Sequence, residues 1–127
     1  MSAVQTTENL GSILNVLTQE APKYGVSITI DKDELVIRVP NKWLFLDRYE
    51  AGPARLFTYH FSVFRKVFVY HTYGEFRIDL VDSRVGRRVR CVLNNVGVRE
   101  GWLGNDVVFF ISLRPETNVQ FTVGVHD

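Results

Sequence analysis

The 127-residue chain carries 15 Lys and Arg against 14 Asp and Glu, a formal charge of +1, and 46% of its residues are apolar. That hydrophobic share excludes a disordered chain, the length suits one domain around one core, and the near-neutral balance excludes a global field that draws in nucleic acid or anionic lipid. The lone Cys91 excludes an intramolecular disulfide, the opening residues lack the basic and apolar blocks of a signal peptide, and no apolar run nears the ~18 residues that span a bilayer. An intracellular protein that does not enter membranes is expected. The cations are uneven, eleven Arg to four Lys, and Arg is the type suited to forked contacts with anions.

Residues 1–6 read as a flexible polar tail. Leu10, Ile13, Leu14, Leu17 and Ala21 then recur at helical spacing, with Thr7 placed to cap the start, Glu8 in the first turn and Gly25 placed to close the end, so a helix is expected over 8–21. Its other side, Asn15, Thr18, Gln19 and Glu20, is polar, so one stripe packs and the rest is solvated. From Val26 the period falls to two, opening a β-rich body over 26–125. Val26, Ile28 and Ile30 alternate with Ser27 and Thr29, a turn follows at 31–34, and Leu35, Ile37 and Val39 alternate with Val36 and Arg38. Pairing Ile30 with Leu35 sets Ile28 opposite Ile37 and Val26 opposite Val39, which gathers every large apolar residue but Val36 on one face.

The stretches 43–49 and 56–72, parted by the turn-like 51–54, are rich in aromatic and β-branched residues and read as two or three further strands. Alternation slips at 63–66, which fits either a bulge in one bent strand or a tight turn between two short ones. A second hairpin, 76–81 with 88–93, sets Phe76, Ile78 and Leu80 against Leu93, Cys91 and Val89. The stretch 94–105, with three glycines and Trp102, reads as the longest irregular loop. A third hairpin is expected from 107–113 and 119–125, setting Val107, Phe109, Ile111 and Leu113 against Val125, Val123, Phe121 and Val119. The fold class that follows is mainly β (α+β). An N-terminal amphipathic helix precedes about eight mostly antiparallel strands in hairpins, packed as a β-sandwich or a strongly bent sheet in one domain over 1–127.

Arg84, Arg87, Arg88 and Arg90 fall within seven residues at the tip and return strand of the second hairpin. Arg88 and Arg90 share a strand face about 6.6 Å apart, a spacing close to that of successive phosphates on a nucleic-acid strand. With Lys66 for further phosphates and Trp102 or Tyr73 for stacking, they suggest a sequence-tolerant nucleic-acid contact. The same register also sets Asp79 opposite Arg90 and Asp82 beside Arg84, which neutralises charge and leaves a solvated edge that resists aggregation. Val108 and Phe110 point outward on the third hairpin and need cover, either from the helix or from a second copy in a homodimer contact. Trp43, among Leu44, Phe45 and Leu46, reads as core, whereas Trp102, among glycines, reads as an exposed anchor or an end plug.

No pattern in the chain carries catalysis. His60, His71 and His126 stand apart without the spacing of metal ligands, and Cys91 shares the inward parity of Val89 and Leu93, where a thiol is a small apolar group. Asp31 with Glu34, and Asp47 with Glu50, sit in turns where solvated acids are ordinary, and neither a phosphate loop nor a nucleophile elbow occurs. No catalytic residue, metal ligand or cofactor is assigned. The reading is a non-enzymatic interaction or assembly module that binds a protein partner or its own copy. Its alternative is the nucleic-acid binder, and the third is a small enzyme whose site assembles only in three dimensions. Few Met, Cys and Gln with abundant Val follow the composition of thermophilic archaeal and viral proteins, while seven Asn and few Lys run against it.

Overall fold

The computed structural model describes residues 4–6, 10–40 and 46–125. Helix α1, Leu10–Glu20, buries Ile13, Leu14 and Leu17 and runs into a 3₁₀ turn, Ala21–Tyr24. Pro22 suits the start of that turn because it has no N–H to leave unpaired. Gly25 ends it with φ 74°, donating its N–H to the Pro22 carbonyl at 3.1 Å, while the Val26 N–H reaches the Ala21 carbonyl at 3.1 Å. A side chain at 25 is barred twice, by that dihedral and by the Phe61 ring 2.5 Å from where a Cβ would stand. The caps expected from Thr7 and Glu8, and the core position expected of Trp43, lie outside the described residues.

Eleven strands are described: β1 Val4–Thr6, β2 Ser27–Asp31, β3 Glu34–Val39, β4 Leu46–Ala51, β5 Ala54–His60, β6 Arg65–Thr72, β7 Glu75–Asp82, β8 Arg87–Asn94, β9 Gly97–Leu103, β10 Asp106–Ser112 and β11 Asn118–Val125. They form one sheet in the order β1-β11-β8-β7-β6-β5-β4 and a second in the order β2-β3-β10-β9, antiparallel throughout. The molecule is mainly β with one helix near its start, as the periodicity predicts. Both local registers hold, Ile30 with Leu35 and Ile28 with Ile37 in β2–β3, and Phe76 with Leu93, Ile78 with Cys91 and Leu80 with Val89 in β7–β8. The slip at 63–66 is a turn. Ser62 Oγ accepts the N–H groups of Phe64 and Arg65 at 3.3 and 3.1 Å, folding β5 back onto β6.

Three expectations are corrected. Strands β10 and β11 do not form a hairpin: β10 lies between β3 and β9, while β11 crosses to the other sheet and sets Val119, Phe121 and Val123 against Leu93, Cys91 and Val89 of β8. Alternation fixes which side chains face inward but not which neighbour supplies the ladder. A central place buries both faces of β10, where a hairpin leaves Val108 in water. The stretch 94–105 is not a loop, because β9 occupies most of it. Its glycines serve close approach: a Cβ at Gly101 would stand 3.3 Å from Phe110, and one at Gly97 would stand 3.1 Å from the Arg114 guanidinium. The tail is not wholly irregular either, since Val4–Thr6 pairs with β11 along an edge that is otherwise open.

The inward rows of both sheets and the apolar stripe of α1 form one hydrophobic cluster. Phe109 sits at its centre, its ring centroid 5.1 Å from Phe57, 5.8 Å from Phe76 and 6.0 Å from His71, so rings of the large sheet meet one ring of the small sheet. The helix packs against β2 and β11. Among the described residues no helix is long and apolar enough to cross a membrane. Phe109→Ala is expected to cost about 3–5 kcal/mol in urea unfolding. Val85→Ala, at a turn position 65% exposed, is expected to stay within about 0.5 kcal/mol.

Candidate functional site

Strands β5 to β8 and β11 turn Phe57, Val67, Val69, Ile78, Leu80, Val89, Cys91 and Phe121 into the core, so period two sends the intervening residues to the opposite face. Three rows cross that face. They run Lys66, Val81, Arg88, Gly124; then Phe68, Asp79, Arg90, Thr122; then Tyr70, Arg77, Val92, Gln120. The small sheet and the helix pack on the other side, and among the described residues no helix or strand stacks on these rows, though Val81, Asp79 and Val92 within them are buried.

The rows are stitched by their own charges. Arg90 forks onto Asp79, Nε to Oδ1 and Nη2 to Oδ2, both at 2.9 Å, and those hydrogen bonds hold its guanidinium above the ordinary arginine value against the opposing effect of burial. Asp79 is thereby kept in a nearly closed setting. Arg77 donates to Glu75 at 3.0 Å and lies over the Tyr70 ring at 5.2 Å. Between these groups lies a hollow of about 320 Å³ lined by Leu56, Phe68, Tyr70, Arg77, Asp79 and Arg88. Arg77 also borders a second, polar depression with Arg90, Asn94, Gln120 and Thr122. Among the described side chains of β6, β7 and β8, this face carries Lys66, Arg77, Arg88 and Arg90 against Glu75 and Asp79, four cations to two acids. The site therefore has an apolar floor and a cationic rim.

Of the residues singled out by sequence, the structure brings Lys66, Arg88 and Arg90 onto this face. It sends the others elsewhere. Arg84 lies in the turn after β7, its N–H donating to Asp82 at 3.1 Å and its guanidinium over Phe64 at 5.8 Å. Arg87 has the opposite parity and reaches Glu20 at the end of α1 at 3.0 Å. Burial alone would raise the Glu20 carboxyl, but hydrogen bonds from Lys23 and Arg87 outweigh it and hold the group below its ordinary value. Trp102 stands half exposed on β9 of the other sheet, and Tyr73 lies in the turn between β6 and β7.

Val108 is buried and Phe110 is partly covered. Arg99 lies over the Phe110 ring at 4.2 Å and helps cover it, while Arg38, opposite Val108 in the ladder, is drawn to Asp106 at 2.6 Å. The floor of the hollow, Leu56, Phe68 and Tyr70 with Arg77 above, escapes a reading of sequence. Its one signal is the run 66–70, where a cation and two aromatics share one parity.

His71 meets Glu100 at 2.6 Å, His126 lies outside the described residues, and Asp31 and Glu34 face each other across the β2–β3 turn. Among the described residues no group of three His, Cys, Asp or Glu is placed to hold a metal ion. Cys91 is 1% exposed, and burial, with Asp79 nearby, pushes its thiol up to about 12. At pH 8 a disulfide exchange reagent is expected to label Cys91 only as fast as the protein unfolds. Immediate labelling of the native protein would contradict the burial. The thiol of the unfolded chain ionises at lower pH, so stability is expected to be full below the ordinary thiol range and to fall as pH rises towards 12. No protein-family model matches this chain, and no curated protein or solved structure matches it either.

Proposed function

We propose that the protein is a non-enzymatic interaction module whose large-sheet outer face takes a partner segment bearing an aromatic or aliphatic side chain beside carboxylates. The observation that carries this reading is the hollow of about 320 Å³, floored by Leu56, Phe68 and Tyr70 and rimmed by Arg77 and Arg88, on a face where no described helix or strand stacks. Tyrosine and arginine around an apolar centre are the composition of interface hot spots. The guanidinium rim favours a carboxylate-bearing partner, and the apolar floor gives its neighbouring side chain a place to bury.

A second reading has its own support. Phe68 and Tyr70 are two apart on β6, and Arg88 and Arg90 are two apart on β8, giving a stacking row and a cationic row roughly 10 Å apart, as single-stranded nucleic acid requires. It ranks second because Arg77 already stacks on Tyr70 and Arg90 is already forked onto Asp79.

Fluorescence polarisation separates the two. One probe is a short peptide with a central Phe or Trp flanked by Asp and Glu, with an alanine-centred control, and the other is a ten-nucleotide dT strand. Each is titrated at two salt concentrations with wild type, Tyr70→Ala and Arg88→Ala. The module reading expects the aromatic peptide to bind, the alanine control to bind more weakly, and Tyr70→Ala to weaken the peptide about tenfold or more. Binding of the oligonucleotide alone, with a steep salt dependence that shallows in Arg88→Ala, would transfer the site to nucleic acid. Absence of binding to either probe up to about 1 mM would remove both readings of this face.

A further inference from the structure

The outer edge of β9 offers a second surface, on the other sheet. In the order β2-β3-β10-β9 this strand has β10 as its one described neighbour, so among the described residues its far edge carries backbone donors and acceptors that no other strand pairs. Natural edge strands are commonly blunted by lysine, by proline or by a charge turned into the sheet interior. The segment Gly97–Leu103 has neither lysine nor proline. Its inward charge, Glu100, is satisfied within the chain by Arg55 of β5 at 2.5 Å and His71 of β6 at 2.6 Å. Its other charge, Arg99, lies back over Phe110. Neither device repels an incoming strand, and Trp102 and Leu103 remain about half exposed beside the edge.

We infer that the β9 edge pairs antiparallel with the β9 edge of a second copy of this chain, about a twofold axis at Glu100. The strand's own sequence carries the inference, because it is complementary to itself in that register. Leu103 falls opposite Gly97 of the second copy, Trp102 opposite Val98, and Arg99 opposite Gly101, so each large side chain meets a smaller one. Parity is conserved: Trp102, Glu100 and Val98 lie on the inward side, paired with Val107, Phe109 and Ile111 of β10, and they stay on one side of the joined sheet. Moving the axis to Arg99 sets two arginines opposite each other. Moving it to Gly101 shortens the ladder and sets Leu103 against Arg99. The central Glu100 pair would repel if bare, but each carboxylate is already held by an arginine and a histidine of its own chain. The product is an eight-stranded sheet made of two small sheets.

Sedimentation velocity from about 5 µM to 500 µM tests the pairing. Wild type is expected to pass from monomer to dimer across the range, and Trp102→Lys/Leu103→Lys is expected to dimerise at least tenfold more weakly while still unfolding cooperatively on heating. Register is read separately by mixing Val98→Cys protein with Trp102→Cys protein and adding a short thiol cross-linker. Dimer cross-links that form in the mixture and not in either protein alone would support the stated axis. A wild type that stays monomeric at 500 µM, a dimer indifferent to the two lysines, or cross-linking in each single protein as strong as in the mixture would each overturn the inference. These measurements concern the small sheet alone, so their outcome is independent of ligand binding at the large-sheet face.

Discussion

The ring of Phe109 is the contact that holds the two layers to each other. It meets Phe57 edge-on and Phe76 at a tilt, and His71 closes a third side, so one residue of β10 engages three strands of the large sheet. This fixes more than local packing. Phe109 stands on an inner strand of its sheet, flanked by β3 and β9, so no place beside β10 remains for β11. The chain therefore crosses between sheets after Ser112, β11 adds to β8, and the large sheet becomes seven strands wide. Among the described residues, the small sheet and the helix pack on the inner side of that sheet. The hollow lies on the opposite face, where Leu56, Phe68, Tyr70 and Arg77 stand on neighbouring strands.

The arginine-rich composition has a structural meaning before it has a functional one. Among the described side chains the buried acids Glu20, Asp79, Asp82 and Asp106 each meet an arginine: Arg87, Arg90, Arg65 and Arg38 respectively. A buried carboxylate without such a partner is strongly destabilising, and the planar fork of arginine satisfies two oxygens where lysine offers a point charge. Other arginines lie on rings, Arg77 on Tyr70 and Arg99 on Phe110, and shield apolar surface that the sheets leave open. A cluster of four arginines in seven residues is thus partitioned by strand parity and chain turning. Arg87 anchors the helix, Arg84 lies on a turn, and Arg90 braces Asp79.

The extent to which sequence foretold this molecule follows from the range over which each signal acts. The ladders of β2–β3 and β7–β8 were legible because a short turn leaves few registers, and only one of them buries Ile28 with Ile37 or Ile78 with Cys91 on a common face. The inward parity of Val119, Phe121 and Val123 was legible too, but β8 and β10 offer equally apolar partners, and the choice depends on what covers Val108. Gly97 and Gly101 misled for a related reason. Glycine signals a turn in isolation, whereas here it admits Arg114 and Phe110 close to the backbone, contacts that exist only after strands meet. At the candidate site, Arg88 and Arg90 could be placed on one face from local spacing. The hollow could not, because Leu56, Phe68 and Arg77 become neighbours only when β5, β6 and β7 stand side by side.

The two proposed surfaces also bear on each other. An open hollow of about 320 Å³ provides modest affinity by itself, since association first loses translational and rotational freedom. Pairing through β9 joins the small sheets and leaves the outer face of each large sheet uncovered, so the particle carries two equivalent hollows. A partner that repeats its acidic and aromatic segment then meets the second hollow at high effective concentration, and its retention can exceed that of one site by orders of magnitude without any new contact. Such an assembly needs no deep pocket in either protomer. It needs the edge of β9 to stay receptive, which the arrangement of Glu100 with Arg55 and His71 secures by keeping that strand's acid charge inside the sandwich.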